Sequence, residues 1–111
     1  MQSYYVWVDI QKGVHDIAFS DALHKFLGYL KETGDIAEYR IQRRSLGFGP
    51  SELGEWAVVI DVMDLVQLDQ VFNHAAARAG ELETLHAEVF SRIRSMRTAL
   101  YRDFPDPVRV R

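Results

Sequence analysis

Three segments of this chain alternate between two kinds of side chain, and this alternation constrains the fold more than any other feature. The segments are residues 4–10, 36–46 and 55–63. Because successive side chains on a strand point to opposite faces of a sheet, each segment divides into two sets. The more apolar sets are Tyr4, Val6, Val8 and Ile10; Ala37, Tyr39, Ile41 and Arg43; and Trp56, Val58, Ile60 and Val62. These sets predict a sheet face that lies beneath covering helices.

The opposite sets form a second face of mixed character. Its members are Tyr5, Trp7, Asp9, Glu38, Arg40, Gln42, Arg44, Ala57, Val59 and Asp61. An aromatic and aliphatic centre does not suit water, yet the face also carries opposite charges that can pair across strands. Helices on one side of the sheet leave this face bare. We therefore expect a second copy of the chain to cover it, because most soluble oligomers are two-fold dimers.

Apolar residues at helical spacing predict two helices around these strands. The first covers about residues 17–32, with Asp16 as its expected N-cap and Gly34 as its expected C-cap. Asp64 and Gln67 have the spacing of a capping box, which opens a second helix that runs to about residue 79. Residues 47–54 hold three glycines and a proline, a composition typical of a long hairpin connection.

The last third of the chain carries a longer apolar stripe. Its members recur at steps of three and four and are Leu82, Leu85, Val89, Ile93, Met96 and Leu100. This spacing predicts a helix over about residues 81–101, ended by Pro105 and Pro107. Residues 102–111 are expected to form a C-terminal arm, with residues 108–111 either a short fourth strand or extended. The predicted order is β-α-β-β-α-α in one domain, residues 1–111: an α+β antiparallel sheet with helices on one face.

Composition excludes several classes of protein. The longest uninterrupted apolar runs, at residues 4–8 and 56–60, are far shorter than the ~20 residues of a membrane helix. The chain has no cysteine, which excludes disulfides, thiolate nucleophiles and zinc knuckles. A net charge of −3 argues against nucleic-acid binding. The N-terminus lacks the pattern of a signal peptide, so we expect a cytoplasmic protein.

The element order resembles that of a known superfamily. The βαββα order, the first strand YYVWVDI and a face that mixes Trp7, Asp9, Arg40 and Asp61 resemble the ferredoxin-like dimeric α/β-barrel superfamily. In that superfamily two four-stranded sheets pack face to face across a dimer axis, so the resemblance implies a homodimer. More narrowly, RIQRRSLGFGPSELGEW and LYRDFPDPVR resemble a small bacterial family of uncharacterised function. Superfamily members include monooxygenases, isomerases and ligand-binding modules without a shared catalytic set, so no active site carries over.

The mixed face supplies the candidate ligand-binding residues. They are Tyr5, Trp7, Asp9, Arg40, Arg44 and Asp61. Arginine forks suit an anionic ligand, and aromatic rings can stack on an apolar one. Asp9 and Asp61, expected at comparable heights on their strands, could act as general acid or base if buried. The alternative is structural: the arginines form ion pairs with Asp9, Asp61 or Glu38, and the aromatic rings fill a dimer core.

Other candidate sites carry weaker signals. His15, His24, His74 and His86 lack the spacing of a metal site, so we predict no metal and no cofactor, although a single heme-ligating histidine stays open. The loop at residues 47–54 does not match a phosphate-binding motif, and no serine lies in a nucleophile elbow.

Two functional hypotheses follow. The first is a small-molecule binding or structural module. The second is a cofactor-poor monooxygenase or isomerase that acts on an aromatic or apolar acid. An enzyme requires a mostly apolar pocket with a few polar groups, either between sheet and helices or inside the dimer barrel. The sequence does not decide whether the protein is an enzyme.

Overall fold

Four strands and three helices make up the computed structural model, which describes residues 1–76 and 80–105. In chain order the elements are β1 (Gln2–Ile10), α1 (Asp16–Glu32), β2 (Glu38–Arg43), β3 (Trp56–Val62), α2 (Leu65–Ala76), α3 (Gly80–Phe90) and β4 (Ile93–Arg102). The strands form one sheet in the order β2-β3-β1-β4, and all neighbouring strands are antiparallel. None of the helices described is long and apolar enough to span a membrane.

The predicted division of the strands into two faces is confirmed. The apolar sets of β1 and β3, together with Tyr39 and Ile41 of β2, pack against buried residues of the three helices. In α1 these buried residues are Phe19, Ala22, Leu23, Phe26, Leu27 and Leu30. The opposite face of the sheet, called the outer face below, carries Tyr5, Trp7, Val59 and Arg40 in its middle rows.

Helix ends follow local rules with one correction. Gly34 has φ +81° just after α1, the left-handed conformation predicted for a C-terminal glycine. Asp64 accepts a hydrogen bond from the Gln67 N–H at 2.9 Å, which confirms the predicted cap of α2. The predicted N-cap Asp16 is wrong by one residue: His15 occupies that position, and Asp16 is the first helical residue. Both side chains accept from the Ile17 N–H, so either one satisfies a donor at the helix start.

The predicted helix over residues 81–101 is wrong beyond Phe90. The chain turns at residues 91–92 and returns as β4, which pairs with β1 along its whole length. A fourth strand therefore exists, but it lies at residues 93–102. The predicted strand or arm at residues 108–111 lies outside the described residues.

A bulge explains why β4 has the spacing of a helix. Met96 lies opposite Val8, whereas Ile93 lies opposite Ile10, so β4 contains one extra residue beside the Asp9–Ile10 step. The extra residue places Ile93 and Met96 on the same face of the sheet, three positions apart. Three-residue spacing in an apolar stripe is typical of a helix, and the bulge reproduces it in a strand.

Candidate ligand-binding site

An apolar cavity of about 160 Å³ lies between the sheet and the three helices. Its floor is the inner face of the sheet, formed by Tyr4, Val6, Val8, Val58, Ile60, Ile93 and Met96. The helices and the residue before β2 form its walls: Phe19, Leu23, Phe26, Leu27, Leu30, Ile36, Leu68, Val71, Phe72, Ala75, His86, Val89 and Phe90. An apolar cavity of about 150 Å³ accommodates a benzene molecule, so this one admits a single aromatic ring.

The cavity opens between α2, α3 and β4. Three lining residues at this side are substantially exposed: Phe72 at 47%, Phe90 at 40% and Met96 at 46%. The lining residues of α1 are buried instead. A ligand can therefore enter past the exposed side chains and reach a buried aromatic and aliphatic interior.

Polar groups are scarce among the described lining residues. Only Tyr4 and His86 carry a side-chain oxygen or nitrogen. The half-buried His86 ring stacks on Phe90, with centroids 4.0 Å apart and planes inclined by 20°, and the edge of Phe26 meets it at 5.6 Å. Tyr4 meets Phe72 edge to face at 5.4 Å. Aromatic packing therefore orients both polar rings.

The outer face presents a row of aromatic rings. Tyr5 and Trp7 stack with centroids 5.7 Å apart, and Tyr101 of β4 meets Tyr5 edge to face at 5.3 Å. Sequence reasoning missed Tyr101, because it placed the residue at the end of a helix instead of in a strand beside β1. The row lies on the opposite side of the sheet from the cavity, so the candidate residues Tyr5 and Trp7 do not line that cavity.

Asp9 and Asp61 lie at opposite ends of the sheet. The prediction that they lie at comparable heights on their strands is therefore wrong. The β1–β3 register places Asp61 opposite Ser3, six residues from Asp9 and about 20 Å away along the strand. Asp61 accepts a hydrogen bond from Ser3 Oγ at 2.7 Å. Asp9 accepts one from the Glu55 N–H at 2.9 Å and lies 3.8 Å from the Arg94 guanidinium. The two carboxylates cannot act on one substrate atom within a single chain.

The prediction that Arg40 and Arg44 form ion pairs with these carboxylates is wrong as well. Arg44 donates to the carbonyl oxygens of Pro50 at 3.0 Å and Leu53 at 2.6 Å, and so holds the hairpin loop. Within residues 1–76 and 80–105, the Arg40 side chain has no hydrogen bond or ion pair. Arg40 is therefore available on the outer face for a partner or an anion.

Other charged groups form the ion pairs. Lys31 binds Glu38 at 3.0 Å, and this hydrogen bond, with a smaller contribution from the Tyr39 N–H, lowers the pKa of the Glu38 carboxyl. Arg43 binds Glu55 at 2.6 Å and Asp16 at 3.0 Å. These two hydrogen bonds raise the pKa of Arg43 above its ordinary value. Both networks lie at the surface, where their role is structural.

Three of the four histidines have structural partners away from the cavity. His15 caps α1, His24 Nδ1 lies 3.1 Å from the Tyr39 hydroxyl, and His74 binds Asp35 at 2.8 Å. His86 alone lines the cavity. Across the described parts of the chain, no group of three potential ligands could hold a metal ion.

Solved structures share this architecture at low sequence identity. The Arabidopsis thaliana protein At3g17210 has a TM-score of 0.74 at 7% identity, with 96% of this chain and 98% of that chain covered. A dimeric ferredoxin-like protein of unknown function from Jannaschia sp. CCS1 has a TM-score of 0.67 at 14% identity, covering 92% and 98%. SnoaB, a cofactor-independent oxygenase from Streptomyces nogalater, has a TM-score of 0.67 at 6% identity, covering 95% and 97%. These similarities confirm the predicted ferredoxin-like fold.

Sequence comparison adds one match. A search of curated proteins gave no significant similarity. Residues 1–111 match the model of a family described as "Family of unknown function (DUF6614)".

Proposed function

The chain belongs to the DUF6614 family, as its resemblance to a family of uncharacterised function implied, and we propose that it binds a small apolar molecule between its sheet and helices. One observation carries this proposal: an apolar cavity of about 160 Å³ that opens to the surface at one side. Protein interiors are close-packed, and an empty apolar space costs stability unless something occupies it. A cavity with an exposed aromatic entrance fits a ligand site better than it fits a packing defect.

Filling the cavity from one helix tests the proposal. Ala75 lines the cavity and the neighbouring Ala76 is exposed, so Ala75→Phe occupies the space while Ala76→Phe adds the same side chain outside it. Toluene serves as the probe, and its binding is measured by amide chemical-shift changes during titration. We expect toluene to bind the wild type and Ala76→Phe with similar affinity and Ala75→Phe at least 10-fold more weakly. No binding to the wild type, or equal binding to all three, contradicts the proposal.

We further propose that the protein is a homodimer joined through its outer face. Tyr5, Trp7 and the buried Val59 provide an apolar centre on a face that none of the helices in the described residues covers. The Jannaschia protein of the same fold is described as dimeric. In this dimer the candidate residues of the outer face meet the partner's sheet, where they contact it or frame a site for a small anionic ligand.

A second candidate function is a cofactor-poor monooxygenase or isomerase. The half-buried His86 imidazole favours it, because an imidazole in an apolar cavity can accept a proton from a bound substrate. The oxygenase from Streptomyces nogalater shares the fold. Dioxygen uptake in the presence of p-cresol, lost in His86→Leu, would support the oxygenase. Binding of p-cresol without turnover would support the module.

A cytoplasmic location is also proposed, on the ground that the sequence contains no cysteine and so needs no oxidising compartment. Fractionation of cells that produce the protein tests it, with recovery in the periplasmic or membrane fraction as the contrary result.

A further inference from the structure

We infer that the two sheets of the proposed homodimer cross at about 70°, so that Arg40 of each protomer forms an ion pair with the partner's Asp61. The inference rests on the proposed dimer and adds its geometry: which positions of the two outer faces meet, and which charges recognise a second copy of this chain. Arg97 forms the corresponding pair with the partner's Asp9 at the other end of the face.

The outer face carries charges that are left unmatched within the chain. In the part of the chain that the structure describes, the side chains of Arg40 and Arg97 make no hydrogen bond or ion pair. The half-buried Asp61 carboxylate accepts a hydrogen bond from Ser3 Oγ at 2.7 Å, and a hydroxyl is a neutral donor. Hydrogen bonds between an arginine and a carboxylate are stronger than those from neutral donors. A second copy of the chain can therefore supply the cation that Asp61 lacks among the described residues.

The two arginines and the two carboxylates are arranged symmetrically about the centre of the outer face. In the β2–β3 register, Arg40 lies one strand and two residues away from Asp61, about 8 Å along the sheet. In the β1–β4 register, Arg97 and Asp9 are separated by the same diagonal step in the opposite direction. One line through the midpoints of both pairs therefore crosses the centre of the face.

A two-fold axis along that line, in the plane between two packed sheets, exchanges the members of each pair to within about 3 Å. The axis is inclined by about 35° to the strands, so the two sheets cross at about 70°, close to the orthogonal class of sheet packing. It passes over Trp7 and Val59, each of which meets its own copy. Tyr5 is placed over the partner's Ala57, so that a large ring faces a methyl group.

Other two-fold axes through the centre of the face do not pair Arg40 with a carboxylate. An axis parallel to the strands places Arg40 opposite the partner's Ala99, and an axis perpendicular to the strands places it opposite the partner's Gln42. The second diagonal brings Arg40 close to the partner's Arg97, and like charges across an interface repel each other. Charge complementarity therefore selects the first diagonal.

Charge-reversed variants test this pairing. Arg40→Asp and Asp61→Arg are purified separately, and each variant, their equimolar mixture and the wild type are studied by light scattering and native mass spectrometry at several protein concentrations. In either variant alone, like charges face each other across the interface. In the mixture, a heterodimer brings opposite charges together at both contacts. A mixture of Arg40→Asp with Asp21→Arg is the matched control, because Asp21 is exposed on α1 and does not lie on the sheet.

The expected pattern differs between the proteins. Each variant alone dimerises about 10-fold more weakly than the wild type or worse, because like charges repel. The mixture of Arg40→Asp and Asp61→Arg forms mainly heterodimer, whereas the control mixture shows no such excess. A wild-type dimer without excess heterodimer in the first mixture overturns the inference and leaves the proposed dimer intact. A wild-type monomer overturns the proposed dimer itself.

A milder pair of substitutions tests the same contact if a charge reversal prevents folding, which circular dichroism detects. Arg40→Gln and Asp61→Asn each remove one charge and keep the approximate size of the side chain. Each should weaken dimerisation, and the double variant should be no weaker than either single variant, because the ion pair is already lost. Losses that add in the double variant would contradict the pairing.

Discussion

Gly54 lies directly against the backbone of Val8, so close that a Cβ atom at position 54 would overlap the Val8 carbonyl group. Val8 is a central core residue on β1, only 1% exposed. The contact lets the end of the hairpin loop approach β1, and the next residue, Glu55, donates its N–H to Asp9 at 2.9 Å. Glycine is therefore required here by close approach of two backbones.

We predict that Gly54→Ala destabilises the protein by about 2–3 kcal/mol, because β1 and the loop must separate to admit the methyl group. Urea denaturation followed by circular dichroism measures the change. Gly28→Ala is the matched control: its Cβ has ordinary contact with the Tyr39 hydroxyl, and alanine in a helix interior gains roughly 0.5–1 kcal/mol. A Gly54→Ala protein as stable as wild type would show that the loop moves freely.

Trp7→Arg should convert the proposed dimer to a monomer. The substitution places a charge in the apolar centre of the outer face, where the partner's sheet is proposed to pack. Light scattering coupled to size exclusion gives the mass of each variant. Leu65→Arg, at an exposed position on α2 away from the sheet, should keep the wild-type mass. A wild-type monomer, or a dimer that survives Trp7→Arg, contradicts the proposed interface.

Leu23→Ala should enlarge the cavity and make the stability of the protein depend on a bound ligand. Leu23 is 5% exposed and lines the cavity, so its truncation costs about 2–5 kcal/mol. Toluene should raise the Tm of this variant more than that of Val59→Ala, a buried truncation on the outer face, because ligand binding stabilises the folded state by mass action. Equal Tm shifts in the two variants would mean that the cavity enlarged by Leu23→Ala binds toluene no better than the intact cavity, and the absence of a shift in both would mean that toluene does not occupy the cavity. Differential scanning fluorimetry measures both.

The Asp16 carboxyl should make stability depend on pH in the acid range. Its hydrogen bond from the Ile17 N–H, then that from Arg43, hold the Asp16 pKa below its ordinary value of 3.8. A lowered folded-state pKa contributes stability above the unfolded-state value, and that contribution is lost as the pH falls through the folded-state value. Asp16→Asn should therefore be less stable than wild type at pH 7, and the difference should disappear as the pH falls below about 3.8.

Urea denaturation at several pH values checks this prediction. Asp21 is an exposed carboxyl on the same helix, and Asp21→Asn serves as the control. Its free energy of unfolding should equal that of the wild type at every pH. A constant difference in the free energy of unfolding between Asp16→Asn and wild type from pH 7 to pH 3 would mean that the ionised carboxylate contributes no stability through these hydrogen bonds.

Local sequence patterns were sufficient to predict most of the fold. The alternation in β1 and β3 correctly divided the sheet into a covered and an outer face, because strand periodicity is a property of neighbouring residues alone. Gly34 and the Asp64–Gln67 cap were likewise predictable, since helix ends are determined by residues within one turn.

Other features depend on residues that are distant in sequence. β4 is a strand because it pairs with β1, and a bulge beside Asp9 gave it the spacing of a helix. The antiparallel register separated Asp9 from Asp61 and left Arg40 without the ion pairs that charge alone suggested. No local pattern encodes a register of this kind, because pairing between strands is chosen by the whole sheet.

What the amino-acid order determined by itself is which side chains turn toward the helices and which turn away. Only the tertiary structure decided that the inward-facing residues leave a cavity and that His86 lines it. A cavity is the difference between the space enclosed by packed elements and the volume of the side chains that fill it, and that difference depends on how the helices sit over the sheet.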